Sequence, residues 1–158
     1  MKKLALFSMI GFLGIISAGC NPGLLYEKYL EIEGKGWKHI EPITFEVEVD
    51  DISVPYDVYV NLRHTNDYPY SNLWLMMYTY PPEGEQATQQ RMELKLAQPD
   101  GRWLGNGLGT NITHEIRVRQ KFVFPTKGTY AFTIEHDMRE QIVPAVSHVG
   151  LRIEKSKN

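Results

Sequence analysis

The sequence predicts an all-β fold, an antiparallel two-sheet β-sandwich, and three observations carry that prediction. Apolar and polar residues alternate with period two in successive stretches, as in strands with one buried face. Clusters of Gly, Pro, Asn and Asp punctuate the chain between those stretches, where turns need fixed or positive φ angles. Helical periodicity is almost absent. About seven or eight strands with turns between them fit a jelly-roll or an immunoglobulin-like sandwich, and the pattern does not choose between the two.

The first element is a leader. Lys2 and Lys3 precede the apolar run Leu4 to Ile16, and Ser17-Ala18-Gly19 supplies the small residues that a signal peptidase needs. The run is short of the roughly 20 residues that a membrane span requires. Cys20, the one cysteine of the chain, follows directly in the pattern of a bacterial lipobox, with Ser17 where many lipoboxes carry Leu. Residues 1–19 are therefore expected to be a lipoprotein signal peptide, with the Cys20 thiol acylated. Residues 20–36 are expected to be a lipidated tether, in which Leu24 to Leu30 suits either one helical turn or a short strand. Residues 37–158 are expected to form a single domain.

Trp37, just beyond Gly34 and Gly36, is expected to anchor the start of that domain. Ile43, Phe45, Val47 and Val49 alternate with Thr44, Glu46, Glu48 and Asp50, a half-buried strand. Pro55 opens the next strand, where Val58, Val60 and Leu62 mark its buried face. The polar connector HTNDYPYSN leads to Leu73–Tyr80, which is apolar or aromatic on both faces and so reads as central and covered on both sides. Pro81-Pro82-Glu83-Gly84 marks a turn. Met92, Leu94 and Leu96 predict an edge strand with a charged outer side. Gln98-Pro99-Asp100-Gly101 fits a β-turn. Ile112 to Phe124 predicts a long strand that carries Arg117, Arg119 and Lys121 on one face. Tyr130, Phe132 and Ile134 alternate, Asp137 to Val143 suits a short helix ended by Pro144, and Val149, Leu151 and Ile153 close the fold.

Composition excludes several classes of function. Removing residues 1–19 takes away Lys2 and Lys3 and no acid, leaving 15 basic against 19 acidic side chains, a net charge of −4. A mildly acidic chain without a basic stripe argues against nucleic acid as a partner. The histidines at 39, 64, 114, 136 and 148 lack ligand spacing, so no metal site is expected. Gly105, Gly107 and Gly109 miss the register of a phosphate-binding loop, so no cofactor is expected. No nucleophile elbow is present, and the only thiol is assigned to lipid, so no catalytic residue is proposed. A hydrolase would require carboxylates such as Asp67, Asp100 and Asp137 to converge. The aromatic connector instead has the composition of a protein-binding surface, large rigid contacts on a polar loop. Asn66, Asp67, Tyr68 and Tyr70, with Arg102 and Trp103 of the second loop, are the candidate partner-binding residues. The alternative is a glycan-binding module that uses the rings of Trp37, Trp74, Trp103, Tyr68 and Tyr70.

NLRHTNDYPYSNLWL at 61–75, PDGRWLG at 99–105, FPTKGTYAFTIEHDMR at 124–139 and VGLRIEK at 149–155 resemble, in this order, the gliding-motility lipoprotein GldH family of the Bacteroidetes. The resemblance implies an accessory or scaffolding role in gliding motility and the associated type IX protein secretion. It implies other gliding-motility and secretion lipoproteins as partners, and it brings no catalytic motif. Residues 21–25, Asn-Pro-Gly-Leu-Leu, lack the acidic cluster that marks many surface-exported lipoproteins of this group. The expected location is the outer membrane, facing the periplasm.

Overall fold

The computed structural model describes residues 22–82 and 86–157, so Cys20 and the leader lie outside the described residues. The strands are β1 (Leu24–Glu31), β2 (Gly36–Lys38), β3 (Ile43–Val49), β4 (Tyr56–Thr65), β5 (Asn72–Tyr80), β6 (Thr88–Lys95), β7 (Asn106–Leu108), β8 (Asn111–Phe122), β9 (Gly128–His136), β10 (Ile142–Pro144) and β11 (Val146–Lys155). One sheet has the order β1-β11-β4-β8-β7, and the other has the order β3-β9-β5-β6. A two-stranded ribbon, β10-β2, bridges them at one end. The chain is all-β and antiparallel, packed as a sandwich.

The alternating apolar residues meet between the sheets. Val58, Val60 and Leu62 of β4 and Val149, Leu151 and Ile153 of β11 face Phe45, Val47, Leu75, Met77, Phe132 and Ile134 of the second sheet, and all are buried. At this level of burial each such side chain contributes about 2 kcal/mol. An edge-to-face aromatic run joins the sheets, with ring centroids 5.4 Å apart for Tyr56–Phe124 and 4.8 Å for Phe124–Tyr130. β3 and β6 are the edges of the second sheet, and β6 turns Gln89, Arg91, Glu93 and Lys95 away from the core, as its alternation predicts. Gln98 accepts from the Gly101 N–H at 2.9 Å, closing the predicted β-turn.

Several elements depart from the sequence reading. β4, expected to bury one face, buries Asp57 and Asn61 as well, because β11 and β8 flank it and Arg63, Arg152 and Tyr59 lie over its outer side. β5 is interior in its sheet but covered on one face only: Trp74, Met76 and Tyr78 are half-buried and Tyr80 is exposed. The 137–143 helix does not form. Asp137 donates its N–H to the Trp74 carbonyl, and Ile142–Pro144 pairs with Gly36–Lys38, so sheet partners satisfy the backbone that a helix would have satisfied internally. Gly36 permits that pairing, since its φ is +144° and a Cβ would stand 2.3 Å from the Val143 carbonyl oxygen. Between Gly105 and Gly109 the chain forms the short strand β7, paired in a hairpin with β8.

The expected basic face on β8 is broken by β-bulges against Tyr56–Tyr59. Arg117 stays outside, 3.0 Å from Asp57. Arg119 pairs with core-facing Val58, and its guanidinium crosses to Gln90 of β6 at 3.0 Å. Burial lowers the Arg119 pKa. Asp57 gathers this corner. Burial alone would raise its carboxyl, but bonds from the Ser156 hydroxyl, the Lys121 N–H and Arg117 outweigh that and hold it below the usual carboxylate range.

The expected tether is corrected most. From Leu24 to Glu31 it is β1, an edge strand paired along β11, with Leu25, Tyr26, Leu30 and Ile32 packed on the core. Only Asn21, Pro22 and Gly23 separate Cys20 from the sheet. A chain starting at residue 37, the expected domain boundary, is therefore predicted to lose at least about 4 kcal/mol against one starting at residue 22, taking about 1 kcal/mol for each of these four half-buried side chains. Urea unfolding of the two truncations reads this directly, and equal midpoints would show β1 to be dispensable.

Candidate functional site

Antiparallel pairing gives the sandwich two distinct ends. Leu24, Tyr56, Tyr80, Phe122, Gly128 and Lys155 lie at one end. Glu31, Ile43, Thr65, Asn72, Lys95, Asn111, His136 and Val146 lie at the other. β4 runs ten residues between them, about 30 Å at strand rise. Connections 32–42, 66–71, 96–105 and 137–145 all emerge at the second end, here called the distal end.

All five histidines, scattered in the sequence, fall at this distal end. His64 Nδ1–H donates to the Thr65 carbonyl at 2.8 Å, which leaves its Nε2 as acceptor for the His114 Nε2–H at 2.9 Å. The pair is buried and its rings stack 5.0 Å apart. Burial lowers both pKa values, and the neighbouring His64 ring helps bring His114 to about 4. His136, beside Trp37 at 5.5 Å and His39 at 5.3 Å, is likewise lowered by burial and then by His39. Among the described residues no group of three or more His, Cys, Asp or Glu could hold a metal ion.

This histidine floor holds the aromatic loops. Tyr68 is only 3% exposed, its ring 4.9 Å from His64, and its hydroxyl donates to the Asn72 carbonyl at 2.9 Å. Burial, with lesser contributions from Tyr70 and Glu140, raises its pKa. Trp103 is half-buried, edge-on to His64 at 4.5 Å. Tyr70 is half-buried beside Tyr68, and its pKa is raised by burial and by a hydrogen bond to Glu140. Backbone bonds knit the loops together: Asn66 N–H to Thr110, Thr65 N–H to Ala145, and Leu96 and Ala97 N–H to Ser71.

The structure thus brings the six candidate residues to one end but divides their roles. Tyr68, Trp103 and Tyr70 build the floor, and Tyr68 in particular is not available as a contact. Asn66, Asp67 and Arg102 are exposed, and Asp100 lies 3.7 Å from Arg102. Exposed Leu104, Ile40 and Ile142 join them at this end, a rim of apolar residues that alternation did not single out because each sits in a loop or a three-residue strand. Local composition could have raised Leu104, which follows the Arg-Trp pair. The three tryptophans make no shared platform. Trp37 is buried, Trp103 is packed on His64, and Trp74 carries the Arg91 guanidinium 4.0 Å from its ring centroid. Asp137 is engaged by that same Arg91 at 2.5 Å.

A family model described as GldH lipoprotein matches residues 24–153, which runs from the start of β1 nearly to the end of β11. The chain belongs to the GldH lipoprotein family. It is 30% identical over 151 residues to the gliding motility lipoprotein GldH homolog of Christiangramia forsetii, covering 91% of each chain. It is also 30% identical over 148 residues to the gliding motility lipoprotein GldH of Flavobacterium johnsoniae, covering 89% of this chain and 91% of that one. Among solved structures, the infectious bursal disease virus VP2 subviral particle gives a TM-score of 0.36 at 14% identity, over 95% of this chain and 38% of that chain.

The GldH histidine pair makes stability depend on pH. The unfolded chain takes up a proton at His114 near pH 6.5, whereas the folded chain does so only near about 4. Stability is therefore full above pH 6.5 and falls as the pH drops towards 4, by on the order of 3 kcal/mol for His114, with His64 and His136 acting in the same direction. Urea midpoints across this range test it. A His64→Leu/His114→Leu variant is expected to show a shallower slope, and an unchanged slope would remove the pair as its source.

Proposed function

We propose that this protein is a non-enzymatic scaffold of the cell envelope, anchored through acylated Cys20 to the outer membrane on its periplasmic side. Its distal end docks other lipoproteins of gliding motility and the associated type IX secretion. The names of its relatives, gliding motility lipoproteins, support the setting. The observation that carries the docking role is the opposition of the two ends. The chain leaves the sandwich towards Cys20 at the Leu24 end, while Asn66, Asp67, Arg102, Leu104, Ile40 and Ile142 stand exposed about 30 Å away. Confining the domain to a membrane raises its effective concentration near membrane-bound partners. Asp100, Asp137, His64 and His114 at this end are used in holding loops and strands, which favours binding over catalysis.

The test is affinity purification of the tagged native protein from envelopes in mild detergent, beside an Asp67→Arg/Arg102→Glu/Leu104→Asp variant. The three side chains are exposed, so the variant is expected to unfold within about 1 kcal/mol of the parent. Partner lipoproteins are expected with the parent and reduced at least about tenfold with the variant, the equivalent of about 1.4 kcal/mol. Retention of the parent on isolated peptidoglycan, with no protein partner recovered, would overturn the reading in favour of a glycan-binding module. Tyr68→Ala is unsuitable as a probe, because it removes a buried ring and the donor to Asn72.

A further inference from the structure

We propose that the end of the sandwich opposite the docking loops is a membrane-seating face. On this view Leu24, Tyr80 and Val123 enter the interface of the bilayer that holds the acylated Cys20, so the domain stands upright rather than swinging on a leash. The inference rests on the acylation in the reading above. Three observations carry it.

The first is chain length. β1 begins at Leu24, and its first residues are already fastened, with Lys155 N–H donating to the Gly23 carbonyl at 2.7 Å and Leu24 paired with Glu154. Three residues lie between Cys20 and Leu24, a reach of about 14 Å over four residue steps at full extension. A lipid on Cys20 cannot hold the Leu24 end further from the bilayer than that.

The second is where the exposed apolar side chains fall. Six large hydrophobic residues are exposed among those described, and three of them are at the Leu24 end: Leu24 (37%), Tyr80 (45%) and Val123 (57%). Pairing sets them on one perimeter. Glu154, opposite Leu24, is joined through Lys155 to Tyr56, and Tyr56 pairs with Phe122, next to Val123. Tyr80 closes β5 in the facing sheet. A mainly apolar cleft of about 300 Å³ opens here, lined by Pro81, Phe122, Val123 and Pro125 with Thr79, Gln86 and Thr88 on its β5–β6 side. A Tyr ring with its hydroxyl in the headgroups and apolar side chains beneath suits a water–lipid boundary.

The third is charge. Lys121, Lys127, Lys155 and Lys157 surround this end, against Asp50 and Asp51, with Lys155 held to Asp51 at 2.9 Å. Asp57 and Glu154, paired across β4 and β11, add two acids at the same end. Basic and acidic groups nearly balance, so seating depends on apolar insertion and is expected to be insensitive to salt.

The experiment places a nitroxide by cysteine substitution, at Val123→Cys or at Ile40→Cys, on the full acylated protein in vesicles of phosphatidylethanolamine and phosphatidylglycerol. Acylation consumes Cys20, so the introduced thiol is the only one labelled. Power saturation is expected to show the label at 123 at least about tenfold richer in oxygen relative to aqueous nickel complex than the label at 40, with the same result at high salt. A Tyr80→Asp substitution is expected to lower the ratio at 123 while leaving thermal unfolding within a few degrees of the parent. Equal, water-like accessibility at both positions on vesicle-bound protein would overturn the seating face and leave the anchor intact. A Cys20→Ser protein that stays with envelope membranes as well as the parent would instead overturn the acylation on which the inference rests.

Discussion

The pairing of β1 with β11 is the constraint on which the rest of this structure depends. It makes Leu24–Glu31, a few residues on from Cys20, part of the five-stranded sheet, so the segment that follows Cys20 belongs to the fold. Because β11 lies between β1 and β4, the same pairing gives β11 neighbours on both sides, and β11 and β8 in turn flank the central strand β4, whose outer face closes over Asp57 and Asn61. An N-terminal strand that was merely a leash would leave Val149, Leu151 and Ile153 at an open edge, an arrangement that invites association with other chains.

The aromatic run Tyr56–Phe124–Tyr130 and the histidine floor at His64 and His114 solve different problems at opposite ends. Towards the Leu24 end the sheets meet through this run of rings beside Val49, Val58 and Ile153, and the Tyr130 hydroxyl ties the β8–β9 connection through the Thr126 carbonyl. At the distal end four connections of irregular length must be held against one another. There the buried polar pair supplies direction that apolar contacts lack, since each of its nitrogens needs one partner in one orientation. Both histidines must be neutral for that geometry to be inexpensive, and so the end that carries the exposed rim loses stability as they take up protons in acid.

Much of the architecture is written in alternation, and its failures share a cause. β3, β6, β8, β9 and β11 follow from period-two patterns because each presents one clear apolar face. β1, β2 and β10 do not, because their pairing is long-range: LLYEKYL has no polar-apolar period, and Ile142–Pro144 gains its structure from Gly36, more than a hundred residues away. Arg119 was misplaced for a related reason. A bulge in β8 shifts the side-chain parity by one, and nothing local in IRVRQKF announces it. The candidate loops were legible as a group, since Tyr, Pro, Asn and Asp on a connector mark a turn with large side chains. Which rings would fold inward was not, because that depends on His64 and His114 meeting across two strands.

The division of labour within those loops bears on how they can bind. Tyr68 donates to Asn72, Asp100 accepts from the Arg102 N–H at 3.1 Å, Asp137 holds Arg91, and backbone bonds join 66 to 110 and 65 to 145. Loops fastened in this way lose little further entropy when a partner arrives, so a modest exposed rim can support useful affinity. The same fastening engages Asp100 and Asp137 and buries the imidazoles of His64, His114 and His136, whose pKa values burial lowers, while Asp67 stays exposed. The residues that give this chain its distal order, His64, His114, Tyr68 and Asn72, are therefore the ones that leave Asn66, Asp67 and Arg102 standing as its exposed rim.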